Sequence, residues 1–485
     1  MSRLASLRYD RGTLVLHPPP AGKAWLEFVT WDDRIEKFRL PAWRYRAFLE
    51  ALRQEAVPLD DRARAYHELS LKDNLVHQPF AHQQEALSAW KGQGRQGVVV
   101  LPTGAGKTLV AQLALRDTPR SSLVVVPTLD LMHQWYASMQ QAFPEADLGL
   151  LGGGSKDESD ILIATYDSAA IFAEKLGNRY ALLVFDECHH LPGDFVRSIA
   201  EYSLAPYRLG LSATPERSDG RHTELERLIG PIVYRKYPQE LAGHTLAAHR
   251  MVQMRVSLNT EERQEYERLI QERNTFLQKN SIFLGSLEGW QRFVQASGRS
   301  QEGRRAMLAH RQARQLAFGT SAKLRLLAEL LRKHEQDRLL IFTDDNATVY
   351  RISETFLVPA ITHQTKVKER HASLERFREG TYPRLVTSRV LNEGVDVPEA
   401  NIAVVLSGTG SSREHIQRLG RILRRGESKL AVLYEVIAED TSEEGVSRRR
   451  RTQPVSTPVA SARDSQPALW AERISEVEAL DFEDL

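Results

Sequence analysis

Two stretches of the chain carry side chains whose order suits chemistry on a phosphate. In "VVVLPTGAGKTLVA" an apolar run, a glycine-bearing turn and a helical pattern follow one another. A turn of this kind aims the backbone N–H groups of Thr103, Gly104, Ala105, Gly106, Lys107 and Thr108 at phosphate oxygens, at the positive end of a helix beginning near Lys107. Lys107 then reaches the β- and γ-phosphates of ATP, and the Thr108 hydroxyl holds Mg²⁺. The strict G-x-x-x-x-G-K-[ST] pattern is not met, because Leu101 stands where its first glycine belongs. The plainer alternative is an ordinary Gly-rich turn between a strand and a helix.

The second stretch, "VFDECHH", holds Cys188, the single cysteine of the chain. Zinc would require ligands at C-x₂₋₄-C or H-x₃₋₅-H spacing with further cysteines elsewhere, and the sequence has neither. The carboxylates explain the stretch better. Asp186 directly follows the apolar run Ala181–Phe185, where an ATPase with such a phosphate loop places the acid that completes its Mg²⁺ site. Glu187 is placed to take a proton from the water that attacks the γ-phosphate. Cys188 then merely follows the carboxylates. His189 is read as a relay toward a neighbouring lobe, and His190 equally well as a surface histidine.

The elements that position these residues are legible as apolar runs. "GVVVLPTG", "SLVVVPT", "DILIATY", "ALLVFDE" and "YRLGLSAT" are followed by helical patterns, and "RLLIFTD", "VPAITH", "PRLVTS", "NIAVVLS" and "LAVLYEV" continue the series later. Continuous apolar strands fit parallel sheets buried on both faces. The expected fold is α/β, with one lobe over residues 75–240 and a second over 241–440. The second is interrupted at about 258–320 by a charged helical insertion, opened by a capping box of Asn259 and Glu262. Residues 1–70 read as a small α+β domain with strands at Thr13–Leu16, Trp25–Thr30 and Lys37–Leu40 and a helix entered at Pro41. Residues 441–485, with "SRRRRTQPVSTP", read as a disordered tail ending in a short helix around Trp470, Ile474 and Val477.

The bulk numbers set limits. A length of 485 residues suggests about three domains, and 42% hydrophobic with 26% charged residues is the composition of a soluble globular protein. A lone cysteine excludes an internal disulfide and suits a reducing cytoplasm. No apolar run approaches the roughly 20 residues of a membrane span, and the start lacks a hydrophobic signal core. A net charge of +2 does not by itself announce a nucleic-acid partner.

"PTGAGKT", "DECH", "SAT" (Ser212, Ala213, Thr214), "NEGVDVP" (Asn392–Pro398) and "QRLGRILR" (Gln417–Arg424) occur in the order and spacing of superfamily 2 helicases. With "VVVPTLDLMHQW", "GPIVYRKYPQELAG", the helical insertion and the small first domain, the chain resembles the XPB-type DNA helicases over about residues 75–440. That resemblance implies two RecA-like lobes, a thumb-like insertion, a damage-recognition-like first domain, and an ATP-dependent, 3′–5′ DNA helicase or translocase of DNA repair. Gln417, Arg421 and Arg424 fall at i, i+4 and i+7 of one helical stripe, so two guanidiniums could clamp charge on the γ-phosphate. A solvated basic helix is the alternative. By resemblance, Glu393, Gly394 and Asp396 read the closed state, Ser212, Ala213, Thr214 and His189 couple it to hydrolysis, and Gln83 contacts the adenine. Thr128 and Thr165, at strand ends, are suited to strand phosphates or to helix capping. Arg304, Arg311 and Arg314 either line a DNA groove or form a solvated face. Arg217 and Asp219 stand where the family has an Arg-Glu-Asp element, with Ser218 in the middle position. The expected partner is DNA, as single strand and duplex junction. A companion nuclease is implied only by the family, and the chain is expected to act as a monomer. An RNA helicase and a nucleotide-gated DNA-binding subunit are the rival readings.

Overall fold

The computed structural model describes residues 4–75, 78–217, 219–241, 249–388, 400–407 and 431–445. Among them run three sheets and a group of long helices. The first sheet has the strand order β3-β4-β2-β1-β5, from β1 (Ala5–Asp10), β2 (Thr13–His17), β3 (Thr30–Asp32), β4 (Lys37–Pro41) and β5 (Leu59–Asp61). β1 and β2 form a hairpin turned at Arg11 and Gly12, both at positive φ, the geometry that matches strand twist.

Two expectations for this region need correction. Trp25–Thr30 is not one strand: a 3₁₀ turn covers Leu26–Phe28 and a short strand begins only at Thr30. Trp25 and Phe28 are both buried, and positions three apart share a face in a 3₁₀ turn but not in a strand. Pro41 does not open a helix. It closes β4 at φ −63° and ψ 137°, and the α-helix begins at Tyr45, after a 3₁₀ turn at Ala42–Arg44. A proline at a strand end leaves no ladder donor missing.

The second sheet has the order β13-β6-β12-β11-β7-β10-β8-β9. Its strands are β6 (Gln96–Val100), β7 (Ser122–Val126), β8 (Leu148–Gly152), β9 (Ser155–Lys156), β10 (Ile161–Thr165), β11 (Leu182–Asp186), β12 (Tyr207–Ser212) and β13 (Ile232–Arg235). All pair in parallel except β9, which folds back on β8. Both faces are covered: Val98, Val125 and Phe185 pack into one core, Val99, Val124 and Val184 into the other. Each such side chain, fully buried, contributes roughly 1.5–3 kcal/mol.

The third sheet, parallel throughout, runs β14-β19-β18-β15-β17-β16. It comprises β14 (His249–Val256), β15 (Leu339–Phe342), β16 (Ala360–Ile361), β17 (Arg384–Thr387), β18 (Ile402–Val405) and β19 (Ala431–Ala438). Between β14 and β15 stand helices Thr260–Lys279, Leu287–Arg299 and Gln301–Phe318, then a fourth, Ser321–Lys333. Asn259 and Glu262 form the expected capping box. Ala309, Ala313 and Ala317 give the third of these helices a smooth face against Tyr266 and Leu269 of the first. The first sheet's unit sits against the starting edge of the second: Tyr9 Oη donates to Tyr202 O at 2.9 Å and Asn178 Nδ2 to Ala63 O at 2.9 Å. The chemistry lies at the opposite edge.

Candidate nucleotide-hydrolysis site

β6, β11 and β12 are neighbours, and their carboxyl ends bring the two quoted stretches together. The turn after β6 leads into the helix Lys107–Asp117, capped by Gly106 at φ 80° and ψ 40°. A side chain could not sit there: a Cβ on Gly106 would lie 2.2 Å from Gln83 Nε2, and the left-handed backbone disfavours it in any case. Gly104 is also left-handed, at φ 86°. The loop is anchored from the helix Ala81–Gly92, where His82 Nε2 and Gln83 Nε2 both reach Ala105 O, at 2.9 and 3.0 Å. Gln83 Oε1 accepts from Phe80 N at 2.9 Å, so the residue expected on the adenine is tied into the loop's own scaffold.

Lys107 Nζ lies 3.7 Å from Glu187 Oε1 and 3.4 Å from Leu101 O. Glu187 sits just past β11 with φ 47° and ψ 52°, a left-handed conformation that costs an L-residue roughly 1–2 kcal/mol. Backbone strain of this kind gathers at functional positions, and here it turns the carboxylate toward the lysine. Its Oε2 accepts from Ser212 Oγ at 3.3 Å and lies 3.4 Å from His189 Nδ1, while His189 Nδ1 and Ser212 Oγ are 3.3 Å apart. Thr214 N donates to Ser212 Oγ at 3.1 Å, which links the end of β12, through Ala213, to the acid. Burial pushes the Glu187 carboxyl up, but Lys107 and the His189 hydrogen bond outweigh it and hold it well below the usual carboxylate range. Asp186 moves the other way, pushed up to about 6 by burial and by the charge of Glu187. Its Oδ2 accepts from Trp135 Nε1 at 2.8 Å and its Oδ1 from Glu187 N at 3.0 Å, so the ring fixes the carboxylate's plane. Tyr166 Oη donates to Asp186 O at 3.0 Å.

The hard-oxygen pair expected to hold Mg²⁺, Thr108 and Asp186, fits such an ion in kind. A buried carboxylate beside a second acid is relieved by a divalent cation, and each Asp186 oxygen keeps a lone pair beyond the bond it accepts. Thr103 Oγ1 and Thr214 Oγ1 are buried with no hydrogen-bond partner among the described residues, as polar atoms facing a missing ligand would be. No group of three or more His, Cys, Asp or Glu there could hold a metal, and the Cys188 thiol is buried and pushed well up by that burial.

Other expected residues lie apart. Thr128 and Thr165 cap the helices Leu129–Ala142 and Tyr166–Ile171, accepting from Leu131 N and Ser168 N at 3.3 Å each. Arg217 forks onto Asp219 at 2.9 and 2.6 Å and donates to His189 O at 2.7 Å, which ties that element to the acid's own loop. Arg304 and Arg311 are exposed on the third sheet's helical insertion. Arg314 pairs with Asp344 at 2.8 Å and lies over Phe318, with 40% of its side chain exposed. Glu393, Gly394, Asp396, Gln417, Arg421 and Arg424 lie outside the described residues.

Sequence reasoning missed Trp135, Tyr166 and His82, apolar or aromatic positions that carry no chemical signature of their own. It also missed the ion pair of Asp130, just after the Thr128 cap, with Arg370 at 3.2 Å, which joins the second sheet's unit to the third's. Among the described residues no helix is long and apolar enough to cross a membrane.

Against known proteins, residues 76–217 match the family described as "Type III restriction enzyme, res subunit". Residues 7–63 match "Xeroderma pigmentosum group B helicase damage recognition domain" and residues 322–426 "Helicase conserved C-terminal domain". The chain is 38% identical over 446 residues to the DNA 3′-5′ translocase XPB2 of Sulfurisphaera tokodaii, covering 92% of this chain and 99% of that one. It is 28% identical over 447 residues to the DNA 3′-5′ helicase XPB of Mycobacterium tuberculosis, covering 90% and 70%. The crystal structure of the Pyrococcus furiosus Hef helicase domain superposes with a TM-score of 0.52 at 21% identity, over 79% of this chain and all of that one, a likeness of fold alone.

Proposed function

The chain belongs to the XPB-type helicases of superfamily 2, and from that membership we propose that it is an ATP-hydrolysing 3′–5′ DNA translocase and helicase of DNA repair. The observation that carries the reading is the contact chain Lys107–Glu187–Ser212, with His189 beside it, at the carboxyl ends of β11 and β12. It joins a phosphate-binding cation to a base and the base to the loop that leaves the sheet.

Lys107 binds the β- and γ-phosphates, and the Thr103–Thr108 amides surround them. Mg²⁺, held by Thr108 and Asp186, would neutralise phosphate charge. Glu187 orients the attacking water and takes its proton as the bond to the γ-phosphorus forms and the ADP oxygen leaves. Once Lys107 turns to the phosphates, Glu187 loses the strongest influence holding it low, and its basicity rises as the substrate arrives. Arg421 and Arg424 supply charge from the other lobe, Gln417 acts with them, and Glu393, Gly394 and Asp396 sense closure. Ser212 and His189 pass the change at Glu187 to the loop of Thr214 and, through His189 O, to Arg217.

The helix N-termini at Thr128 and Thr165, with Arg304 and Arg311, hold the DNA backbone, and Arg217 with Asp219 stands at the strand junction. The protein works as a cytoplasmic monomer, with a nuclease as its companion. ATP turnover without nucleic acid and with single-stranded DNA, duplex DNA or RNA tests the reading. Stimulation by DNA above RNA is expected, whereas stimulation by RNA alone would make it an RNA helicase and none would leave a nucleotide-gated binding subunit.

A further inference from the structure

Away from the proposed nucleotide site, at the starting edge of the second sheet, the seam with the first sheet's unit forms a half-open cavity of about 490 Å³. Gln96 begins β6 and Arg208 lies one residue into β12, so the cavity is at the edge of the sheet opposite Lys107 and Asp186. Its lining is basic: Arg44, Arg46, Arg208 and Arg227 stand against two carboxylates, Glu50 and Glu226. Glu50 is already committed to Arg46 at 2.9 Å.

Arg208 is the informative member. It is 4% exposed, and its guanidinium donates only to backbone carbonyls: Ala205 O at 3.3 Å, Leu228 O at 2.6 Å and Ser203 O at 2.8 Å. Two of its five N–H groups remain. Among the described residues no carboxylate forms an ion pair with it, and the charge that acts on it is that of Arg227, of its own sign. Buried cations are ordinarily paired, because carbonyl dipoles return only part of the hydration energy lost. A buried guanidinium with no ion pair among the described residues, in a cavity lined by three more, is a place where an anion would be stabilised.

The second feature is a ring. Trp43 lines the same cavity, and the Arg227 and Arg44 guanidiniums lie over its ring, offset at 5.5 and 5.9 Å from the centroid. Arg227 spends one bond on Glu201, at 2.7 Å, and Arg44 one on Glu27 O, at 2.9 Å. Both keep donors. An indole with guanidinium planes offset over it offers stacking surface for a base, and the guanidiniums' remaining donors suit its phosphate. The volume lies in the range of small-ligand sites, about 300–1,000 Å³.

We propose that this seam cavity is a second anion site, taking the phosphate of a nucleotide unit with its base laid on Trp43. The unit comes from a nucleic-acid strand or from a free nucleotide, and the chemistry is the same for both. The proposal does not rest on the ATP-site reading.

The test uses the full chain with three probes: a thymidine octanucleotide carrying one 5-iodouracil, thymidine 5′-monophosphate and inorganic phosphate. Thymine keeps the probes away from an adenine-selective site. Binding is measured for the wild type, Arg227→Glu, Arg227→Lys and Trp43→Ala, and photo-cross-links are mapped by mass spectrometry. The expected result is a cross-link at Trp43, with affinity about tenfold weaker in Arg227→Glu and kept within about twofold in Arg227→Lys. ATP turnover without nucleic acid should stay at the wild-type rate in all three variants, which checks the fold and leaves the hydrolysis site as a separate question. Loss of monophosphate binding with octanucleotide binding intact assigns the site to free nucleotides. Thymidine monophosphate binding that ignores Trp43→Ala overturns the base contact, whereas inorganic phosphate, which has no base, should bind that variant as it binds the wild type. Cross-links absent from Trp43, with all affinities unchanged in Arg227→Glu, overturn the proposal.

Discussion

Lys107 Nζ and Glu187 Oε1 stand 3.7 Å apart, so the cation proposed to bind phosphate is also the charge that most lowers the carboxyl proposed as the base. Lys107→Ala therefore removes a phosphate contact and releases Glu187 at once. Phosphate release should fall roughly 10²–10³-fold or more, the cost of losing one pre-organised donor, while affinity for a DNA oligonucleotide stays within about twofold. Retained hydrolysis would overturn the assignment of the phosphate loop.

Glu187→Gln keeps an acceptor for Ser212 and abolishes the base. Turnover should drop about 10²–10⁴-fold with ATP affinity kept, as read by single-turnover hydrolysis beside equilibrium nucleotide binding. A variant that hydrolyses within tenfold of the wild type would move the base elsewhere.

Gln83 is 2% exposed and joins Phe80 N to Ala105 O. Gln83→Ala leaves the Phe80 N–H without its partner, which costs about 1–3 kcal/mol of stability in urea unfolding. KM measurements for ATP and GTP separate its two roles. If Gln83 only anchors the loop, both substrates suffer alike; if it also reads adenine, the preference for ATP shrinks.

Asp130 and Arg370 are 13% and 15% exposed at their side chains, so their pair is largely shielded from solvent. Asp130→Ala leaves Arg370 largely buried without this carboxylate, so the costs of Asp130→Ala and Arg370→Ala added together should exceed the cost of the double variant. The coupling energy in a double-mutant cycle should exceed about 0.5 kcal/mol. Simple additivity would mean that the pair does not hold the two units together.

What was legible in the sequence follows from how each residue announces itself. Lys107, Asp186, Glu187 and Ser212 end or follow continuous apolar runs, and a run buried on both faces fixes where its strand stops. Trp135 and Tyr166 gave no such signal: nothing in an aromatic's place on a helix says that its polar tip reaches the acid on another strand. Thr128 and Thr165 read as phosphate contacts or caps, and in the structure both cap helices. Strand β14, with Arg250, Gln253 and Arg255 interrupting "HRMVQMRV", escaped notice because it lies at the sheet's edge and lacks the all-apolar pattern of its neighbours. Trp25–Thr30 departs from its expected strand because a 3₁₀ turn at Leu26–Phe28 lets Trp25 and Phe28 share a buried face.

The account depends most on a triphosphate held by one lobe and sensed by arginines of the other. The most direct test is Arg421→Ala, with ATP turnover at saturating DNA measured beside nucleotide affinity. Affinity within a few fold and turnover lowered about 10³-fold or more is the predicted result, the effect of removing an arginine finger. Unchanged turnover, or a loss confined to affinity, would contradict it.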